Sequence, residues 1–292
     1  MFNDFIRRHQ LSASFATVAE QYYLPLAHRI TQQVEHCQQP YFVAINGCQG
    51  SGKSTLADYL ASYLREQCQL NVAVLSLDDF YLSSEQRKQL ALKVHPLFAT
   101  RGVPGTHNVQ LLQQVLNKLK QGETNFCLPR FNKATDEPEH ITNWSYISEP
   151  ADLVIVEGWC LGAVSVEPSS LHLPVNELEQ KQDPKARWRS YSNEVLACDY
   201  QPLYSLFDYW LLLKAPSFTC VYQWRLEQEQ KLARQNKLAE HKIMSEAEIG
   251  HFIQHFQRLT MTCLQQLPTK VDCQMLLNSE RDIERVIYKT SS

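Results

Sequence analysis

Residues 47–54 read Gly47-Cys48-Gln49-Gly50-Ser51-Gly52-Lys53-Ser54 and fit the pattern G-x-x-x-x-G-K-[ST]. The apolar run 41–46 before them predicts a buried strand, and the amphipathic spacing of residues 54–67 after them predicts a helix. Glycines allow the positive φ angles and close backbone approach of a phosphate-binding turn, while the start of a helix favours anions. The stretch therefore predicts a strand–turn–helix unit that holds a phosphate chain. A chance glycine turn is the alternative.

Strands and helices alternate along the rest of the chain. Apolar runs predict further strands at residues 71–77, 126–130, 151–158, 208–215 and 273–277, with the last run as the final strand. Helical spacing is found at residues 83–94, 109–120, 218–235 and 246–267. This alternation predicts an α/β fold with a doubly wound, mostly parallel sheet flanked by helices and carrying loop and helical insertions.

We expect one domain over residues 1–292. Residues 1–40 are predicted to form a helical extension, interrupted near Pro25, because apolar residues recur there at three- and four-residue steps. Insertions are expected at about residues 131–148 and 164–190. The second insertion is rich in Pro, Ser, Glu and Lys and has little periodicity, so no secondary structure is predicted for it.

Composition limits the possible partners. The formal net charge of −3 argues against a dominant nucleic-acid or anionic-membrane surface and favours a small-molecule substrate. The nine cysteines show no C-x-x-C pair or metal-ligand spacing, which is typical of reduced thiols. Neither a secretory signal nor an apolar stretch of about 20 residues is present. We therefore expect a cytoplasmic location and no membrane or nucleic-acid partner, and we leave the oligomeric state open.

The pattern assigns roles in phosphate and metal binding. Lys53 is expected to reach the β- and γ-phosphates of a nucleotide, and the Ser54 hydroxyl to ligate Mg²⁺. A site of this kind adds an acid from a neighbouring strand, and Glu157, at the end of the run 151–158, is the candidate. The alternative for Glu157 is a surface acid that follows a strand.

Asp78 and Asp79 come directly after the run 71–77, where α/β sheets bind ligands. We predict that Asp78 is the base that accepts a proton from a substrate hydroxyl. Neighbouring side chains at a strand end point in different directions, so Asp79 would meet Mg²⁺ and its waters or cap the next helix. A capping pair without any catalytic duty is the alternative.

Basic residues further along the chain could neutralise the transferred group and bind the acceptor. Arg225, Arg234 and Lys231 lie on the predicted helix 218–235; a solvated helix face with pairs such as Glu227–Lys231 is the alternative. Two loops supply candidates for an anionic acceptor, namely Arg101, His107, Asn108, Arg130 and Lys133. For His107 a structural role stays open. Four tryptophans either line the acceptor pocket or belong to the core: Trp144, Trp159, Trp188 and Trp224.

Cys48 lies inside the predicted phosphate loop. Backbone amides and Lys53 could depress the pKa of its thiol, so that oxidation or alkylation would block nucleotide entry. The alternative is an inert small residue.

Taken together, these motifs resemble the glycerate kinase-like P-loop kinases. The motifs are residues 47–55, 76–82, 101–107, 128–131 with Lys133, 157–160, and the helix that carries Trp224 and Arg225. The group includes plant-type D-glycerate 3-kinase and a yeast ATP-binding homologue. It is related to pantothenate kinase, uridine kinase and phosphoribulokinase. The resemblance covers the chain from about Ile45 into the helix after Phe218.

The resemblance implies a P-loop kinase fold, ATP and Mg²⁺ as cofactors, and transfer of the γ-phosphoryl group from ATP to D-glycerate to give 3-phosphoglycerate. It implies that Asp78 acts on the acceptor hydroxyl. The motifs themselves lead us to expect catalytic roles for Lys53 and Arg225 as well, and metal roles for Ser54, Glu157 and Asp79. The residues expected to bind the nucleotide are Gly47, Cys48, Gln49, Gly50, Ser51, Gly52, Lys53, Ser54, Thr55 and Arg234. Pantothenate, a nucleoside or a sugar phosphate stay open as acceptors, as does a non-catalytic ATP-binding regulator.

Overall fold

The computed structural model describes residues 2–9, 11–12, 14–235 and 244–289. The strands are β1 (Tyr41–Gly47), β2 (Val72–Ser76), β3 (Phe126–Leu128), β4 (Phe131–Asn132), β5 (Glu137–Pro138), β6 (Ser145–Ile147), β7 (Leu153–Gly158), β8 (Tyr209–Lys214), β9 (Cys273–Leu277) and β10 (Ile283–Tyr288). The α-helices are α1 (Phe2–His9), α2 (Phe15–Val18), α3 (Leu24–Glu35), α4 (Lys53–Cys68), α5 (Ser84–Lys93), α6 (Val109–Lys120), α7 (Glu177–Gln182), α8 (Arg187–Val195), α9 (Gln201–Tyr204), α10 (Phe218–Gln235) and α11 (Glu246–Gln266). Within these ranges no helix combines the length and apolar character that crossing a membrane requires.

Six strands form the central sheet in the order β10-β9-β8-β1-β7-β2. β1 runs parallel to both β7 and β8, β2 runs parallel to β7, and β8 runs parallel to β9. Only the pairing of β10 with β9 is antiparallel within this sheet. The predicted α/β fold with a mostly parallel sheet is therefore confirmed.

The register of the sheet brings three predicted motifs to one edge. Every residue of β1 and of β7 is buried, as expected for parallel strands covered by helices on both faces. Glu157 of β7 lies opposite Ile45 of β1 and opposite Ser76 of β2. The phosphate-loop motif, the Asp78–Asp79 pair and Glu157 therefore leave the sheet side by side at its carboxyl edge.

Residues 126–147, after α6, form a small antiparallel excursion from the central sheet. β3 pairs with β6, and β4 pairs with β5 within it. This arrangement turns the segment 129–139 back along the loop after β2, and the Phe131 amide donates to Asp79 Oδ1 at 3.2 Å. The excursion therefore lies beside the predicted catalytic acids.

Two expectations about secondary structure were wrong. The run 273–277 is not the last strand, because β10 follows it as an edge strand, with Ile283 buried and its other five side chains partly or fully exposed. The segment 164–190 contains α7 and the start of α8. Asn176 caps α7 by accepting a hydrogen bond from the Glu179 amide, a local signal of helix start in a stretch without apolar periodicity.

Near Pro25 the predicted interruption is a π-helical turn. The turn, residues Ala19–Tyr23, joins α2 to α3 without breaking the helical path. A second π-helical turn, Leu196–Tyr200, joins α8 to α9 and precedes Pro202 in the same way. Proline lacks the amide hydrogen that a continuous α-helix needs, which accounts for the wider turn before it.

Candidate active site

The phosphate loop depends on two glycines with positive φ. Gly50 has φ of 79° and Gly52 has φ of 90°. A β-carbon on Gly50 would lie 2.7 Å from Cβ of Trp224, so the loop packs closely on α10. Gly52 stands at the N-cap of α4, whose first residue is Lys53. The loop therefore has the compact form that leads directly into a helix N-terminus.

Ser54 and Glu157 meet at the start of α4. The Ser54 hydroxyl donates to Glu157 Oε1 at 2.8 Å, and Lys53 Nζ lies 3.7 Å from Oε2. Glu157 is 5% exposed, and its Oε2 accepts no hydrogen bond from the residues the structure describes. A hydroxyl beside a carboxylate with an unsatisfied oxygen fits the oxygen ligation that Mg²⁺ prefers. Ser54 and Glu157 could therefore hold this ion.

Lys53 lies between two acids. Burial lowers the pKa of Lys53, but the charges of Glu157 and Asp78 outweigh it, so the net shift is upward. The ammonium group therefore stays protonated at neutral pH, as a phosphate-binding lysine must.

Asp78 has a partner on each oxygen. The Tyr81 hydroxyl donates to Oδ1 at 3.0 Å, and Lys133 Nζ donates to Oδ2 at 2.6 Å. Burial alone would raise the pKa of this carboxyl, but Lys133 and Lys53 outweigh it and lower the pKa to about 2. Asp78 is therefore an ionised carboxylate close to the phosphate loop.

The carboxylate of Asp79 faces the excursion instead. Arg130 donates to its Oδ2 at 2.8 Å, and the Phe131 amide donates to Oδ1. Burial raises the pKa of Asp79, and Arg130 opposes that rise. The structure thus pairs Asp79 with Arg130 and the Phe131 amide, and its predicted metal role stays a prediction.

The predicted acceptor residues surround this pair of acids unevenly. Lys133 and Arg130 contact the acids directly, while Arg101 pairs with Asp136 and lies over the Phe131 ring at 5.7 Å. Asn108 serves as the N-cap of α6, its Oδ1 accepting from the Leu111 amide at 3.0 Å. Lys133 and Arg130 therefore reach the acids, Arg101 lies beside the excursion, and Asn108 keeps only its amide nitrogen for a ligand.

His107 lies in a rigid part of the site. Its backbone pairs with that of Tyr81 in an isolated antiparallel bridge. On either side, the Leu82 amide donates to the Thr106 carbonyl at 2.9 Å and the Asn108 amide donates to the Phe80 carbonyl at 2.7 Å. The loop that follows β2 is therefore fastened to the loop that precedes α6, and His107 is held next to Tyr81 and Asp78.

The sequence of this chain is similar to those of known proteins. The model of the phosphoribulokinase/uridine kinase family matches residues 42–171. Over 247 residues the chain is 32% identical to the uncharacterized kinase mug58 of Schizosaccharomyces pombe, covering 80% of this chain and 84% of that protein. The chain belongs to the phosphoribulokinase/uridine kinase family. It is therefore a P-loop kinase.

Two further similar proteins are named for an activity, one similar in sequence and one similar in fold. It is 27% identical over 227 residues to the chloroplastic D-glycerate 3-kinase of Arabidopsis thaliana, covering 74% of this chain and 46% of that protein. The solved structure of a D-glycerate 3-kinase from Cryptococcus neoformans superposes with a TM-score of 0.76 at 24% identity, covering 91% of this chain and 99% of that one. The predicted resemblance to a kinase group with plant and yeast members is confirmed.

Helix α10 carries Arg225, Lys231 and Arg234, and the structure describes its side chains as far as Gln230. Arg225 pairs with the buried Glu229 at 2.7 Å, one residue after the tryptophan that packs on Gly50. This position is compatible with its predicted catalytic role, which stays a prediction. The side chains of Arg234 and Lys231 lie outside the described residues, so their roles also stay predictions.

Three of the four tryptophans belong to the core. Trp159, Trp188 and Trp224 are at most 3% exposed. Trp144 is half-buried, and its Nε1 donates to the Glu139 carbonyl at 2.9 Å in the excursion. The core interpretation therefore holds for the first three.

The hypothesis of a reactive Cys48 was wrong. Cys48 is 5% exposed, and burial raises the pKa of its thiol to about 12 although Lys53 opposes the rise. The desolvation of the thiolate outweighs the nearby cation, so the thiol stays protonated and poorly nucleophilic at neutral pH.

Two tyrosines of the site were missed by sequence reasoning. Tyr81 lies inside the run 76–82 that signalled the site, and its position three residues after Asp78 could have drawn attention to it. Tyr200 contacts His107 across 93 residues of chain. No local pattern announces such a partner, because only the fold brings the two together.

Proposed function

We propose that this kinase transfers the γ-phosphoryl group of ATP to a hydroxyl of a small hydroxy acid, with D-glycerate as the first candidate and 3-phosphoglycerate as the product. The observation that carries the proposal is the environment of Asp78. An ionised carboxylate lies within electrostatic range of the phosphate-loop lysine and pairs with Lys133 on its other side. A protein that only bound nucleotide would not need that arrangement.

The nucleotide side of the site follows from the phosphate loop. The loop amides and Lys53 would bind the phosphates, and Ser54 and Glu157 would hold Mg²⁺ through oxygen atoms. When bound, Mg²⁺ neutralises negative charge on the phosphate oxygens. Glu157 is buried against β1 and β2, so its carboxylate is fixed in place before a nucleotide arrives.

The acceptor side combines a base with cations. Asp78 would orient the substrate hydroxyl and accept its proton, while Lys133, Arg130 and Arg101 would attract the carboxylate of a hydroxy acid. The side chain of Lys133 is 60% exposed, so it can leave Asp78 and pair with an incoming anion. This chemistry suits D-glycerate, the substrate named for the relatives from Arabidopsis and Cryptococcus.

An ADP-release assay tests the proposal. Purified protein with Mg-ATP is presented separately with D-glycerate, L-glycerate, pantothenate, uridine and a pentose phosphate. We expect turnover with D-glycerate, and mass spectrometry should identify 3-phosphoglycerate. Turnover only with another acceptor would replace the substrate, and ATP binding without turnover on any acceptor would favour a regulatory protein.

We also propose that the kinase works in the cytoplasm on a small molecule, without a nucleic-acid or membrane partner. All nine cysteines are free thiols, in keeping with a reducing compartment. Imaging of a tagged chain in its native cell would test the location.

A further inference from the structure

A buried pair of side chains, His107 and Tyr200, lies beside Asp78. His107 is 4% exposed and Tyr200 is 0% exposed, and His107 Nδ1 lies 2.6 Å from the Tyr200 hydroxyl. Tyr81 connects the pair to the base, because its ring stacks on the imidazole at 4.4 Å and its hydroxyl donates to Asp78. The pair is therefore part of the wall that surrounds the catalytic carboxylate.

The Tyr200 hydroxyl determines which nitrogen of His107 carries a proton. Burial raises the pKa of Tyr200 well above its ordinary value, so the phenol is protonated. Among the described residues, the atom within hydrogen-bond distance of this hydroxyl is His107 Nδ1, so we infer that the hydroxyl donates to it. Burial lowers the pKa of His107 to about 4, although Asp78 opposes this, so the neutral ring has one proton. With Nδ1 accepting, that proton is on Nε2.

Nε2 of His107 is then a donor without an acceptor. It is buried and hydrogen-bonds to none of the residues that the structure describes. Buried donors are almost always paired, because losing their water without a replacement is costly. An unpaired donor on a ring that stacks on Tyr81, next to the Asp78 carboxylate, is accounted for when the substrate supplies the missing oxygen.

We propose that His107 donates a hydrogen bond from Nε2 to a carboxylate oxygen of the acceptor, and that Tyr200 is the positioning residue that makes His107 a donor. This rests on the proposed function and deepens it. The cations Lys133, Arg130 and Arg101 attract an anion of any shape, whereas a fixed neutral donor requires an oxygen at one place. His107 would thus separate hydroxy acids from polyols of the same size.

Nuclear magnetic resonance tests the tautomer without any enzyme assay. In protein labelled with ¹⁵N-histidine, the signals lost in His107→Gln identify His107. We expect a neutral ring protonated on Nε2 at about pH 7, and a shift of the Nε2 signal on titration with D-glycerate. Tyr200→Phe should populate the Nδ1-protonated form. Tyr204→Phe is the matched control, since the Tyr204 hydroxyl donates to the Ala163 carbonyl at 2.7 Å. A charged ring or an Nδ1 proton in the unmodified protein overturns the proposal.

Steady-state kinetics test the contact with substrate. His107→Phe should raise KM for D-glycerate by about 10- to 100-fold, as expected for loss of a hydrogen bond to a charged group, and leave KM for ATP unchanged. His107→Gln keeps an N–H donor and should recover part of the loss, and Tyr200→Phe should show a smaller loss in the same direction. Melting temperatures establish that each variant is folded.

The outcomes separate this proposal from the proposed function. An unchanged KM for D-glycerate in folded His107→Phe overturns the contact, and an equal loss with glycerol as acceptor overturns the assignment to a carboxylate. If the protein phosphorylates no acceptor, the proposed function fails. The tautomer and the response of its signal to D-glycerate still decide the role of His107.

Discussion

At the scale of single residues, Asp78 experiences two opposing influences. Burial favours its neutral form, whereas Lys133 and Lys53 favour the charged form and lower its pKa to about 2. A carboxylate of such low pKa is a weak base. Phosphoryl transfer tolerates this, because its loose transition state depends more on positioning and charge than on early proton removal.

Replacing Asp78 with Asn should lower kcat by about 10²- to 10⁴-fold, because the amide keeps the size of the side chain but cannot accept the proton. ATP affinity, measured by calorimetry, should change little. Asp79→Asn is the contrasting variant: its carboxylate holds Arg130 and the Phe131 amide, so KM for the acceptor should rise more than kcat falls. Normal turnover in Asp78→Asn would remove this residue from the mechanism.

Lys133→Ala should move the acid limb of the pH–rate profile to higher pH. Removing the cation that lowers the pKa of Asp78 leaves burial to raise it, by about 1–3 units for a lost neighbouring charge. Activity that needs the ionised carboxylate would then fail at a higher pH than in the unmodified enzyme. Lys118→Ala is the control, since Lys118 lies over the Phe126 ring. If the acid limbs of the Lys133→Ala and unmodified profiles superimpose, Lys133 does not lower the pKa of the carboxylate on which activity depends.

At the scale of elements, the phosphate loop and α10 act as one packed unit. Gly50 and Trp224 are so close that even a methyl group between them would force a shift. Any movement of α10 is therefore transmitted to the loop that binds phosphate.

Gly50→Ala and Gly52→Ala separate packing from backbone strain. Both glycines have positive φ, so either alanine should cost about 1–2 kcal/mol. At Gly50 the new methyl would also collide with Trp224, adding about 1–3 kcal/mol for overpacking, whereas at Gly52 nothing lies within 4 Å. Urea unfolding without nucleotide should show Gly50→Ala to be the less stable variant. Equal losses of stability in the two variants would mean that the phosphate loop shifts away from Trp224 without a measurable cost.

The elements that sequence reasoning predicted well are those with strong local patterns. β1 and α4 begin and end within about one residue of prediction, because an apolar run, a glycine turn and a 3.6-residue period fix them locally. β10 was missed because an edge strand buries few side chains, and α7 because a six-residue helix depends on its cap and tertiary contacts. Asn108 was predicted to bind substrate, but its sequence position cannot separate that role from capping α6.

At the scale of the whole molecule, a buried ionic network ties the segment 164–190 to the C-terminal helix α11. Arg258 donates to both oxygens of Glu179, at 2.8 Å and 2.6 Å. Arg189 pairs with Asp183 at 2.9 Å, and these two residues and Glu179 are at most 3% exposed. Helices α7, α8 and α11 are thereby joined beside the loop that precedes α6. The Pro104 carbonyl of that loop accepts a hydrogen bond from Ser192 of α8.

Arg258→Ala should lower the free energy of unfolding by about 3–5 kcal/mol, because the change leaves Glu179 buried with its main partner removed. Chemical denaturation would measure the loss. Lys181→Ala is the matched control, since it breaks the solvent-exposed Lys181–Glu177 pair on α7 and should leave stability almost unchanged. Similar losses of unfolding free energy in the two variants would mean that the buried network stabilises the protein no more than an exposed ion pair does.

In the candidate site, too, some features follow from the sequence motifs and others depend on how the chain folds. The motif gave Lys53, Ser54 and Glu157 correctly as neighbours, because strand order in a doubly wound sheet brings these positions together. It could not give the partners of the acids. Whether Asp79 meets a metal or Arg130 depends on how the excursion folds back, and the charge of Cys48 depends on a burial that no local pattern reports.

The backbone bonds between residues 80–82 and 106–108 have a consequence for how such enzymes diversify. They fasten the loop that carries Asp78, the predicted base, to the loop that carries His107, whereas Arg130 and Lys133 lie on the excursion. Mutations in that excursion would therefore change which acceptor is bound while the phosphate loop stays the same, except that a change at Lys133 would also alter the pKa of Asp78. A swap of residues 129–139 between relatives would exchange preference before it abolished catalysis.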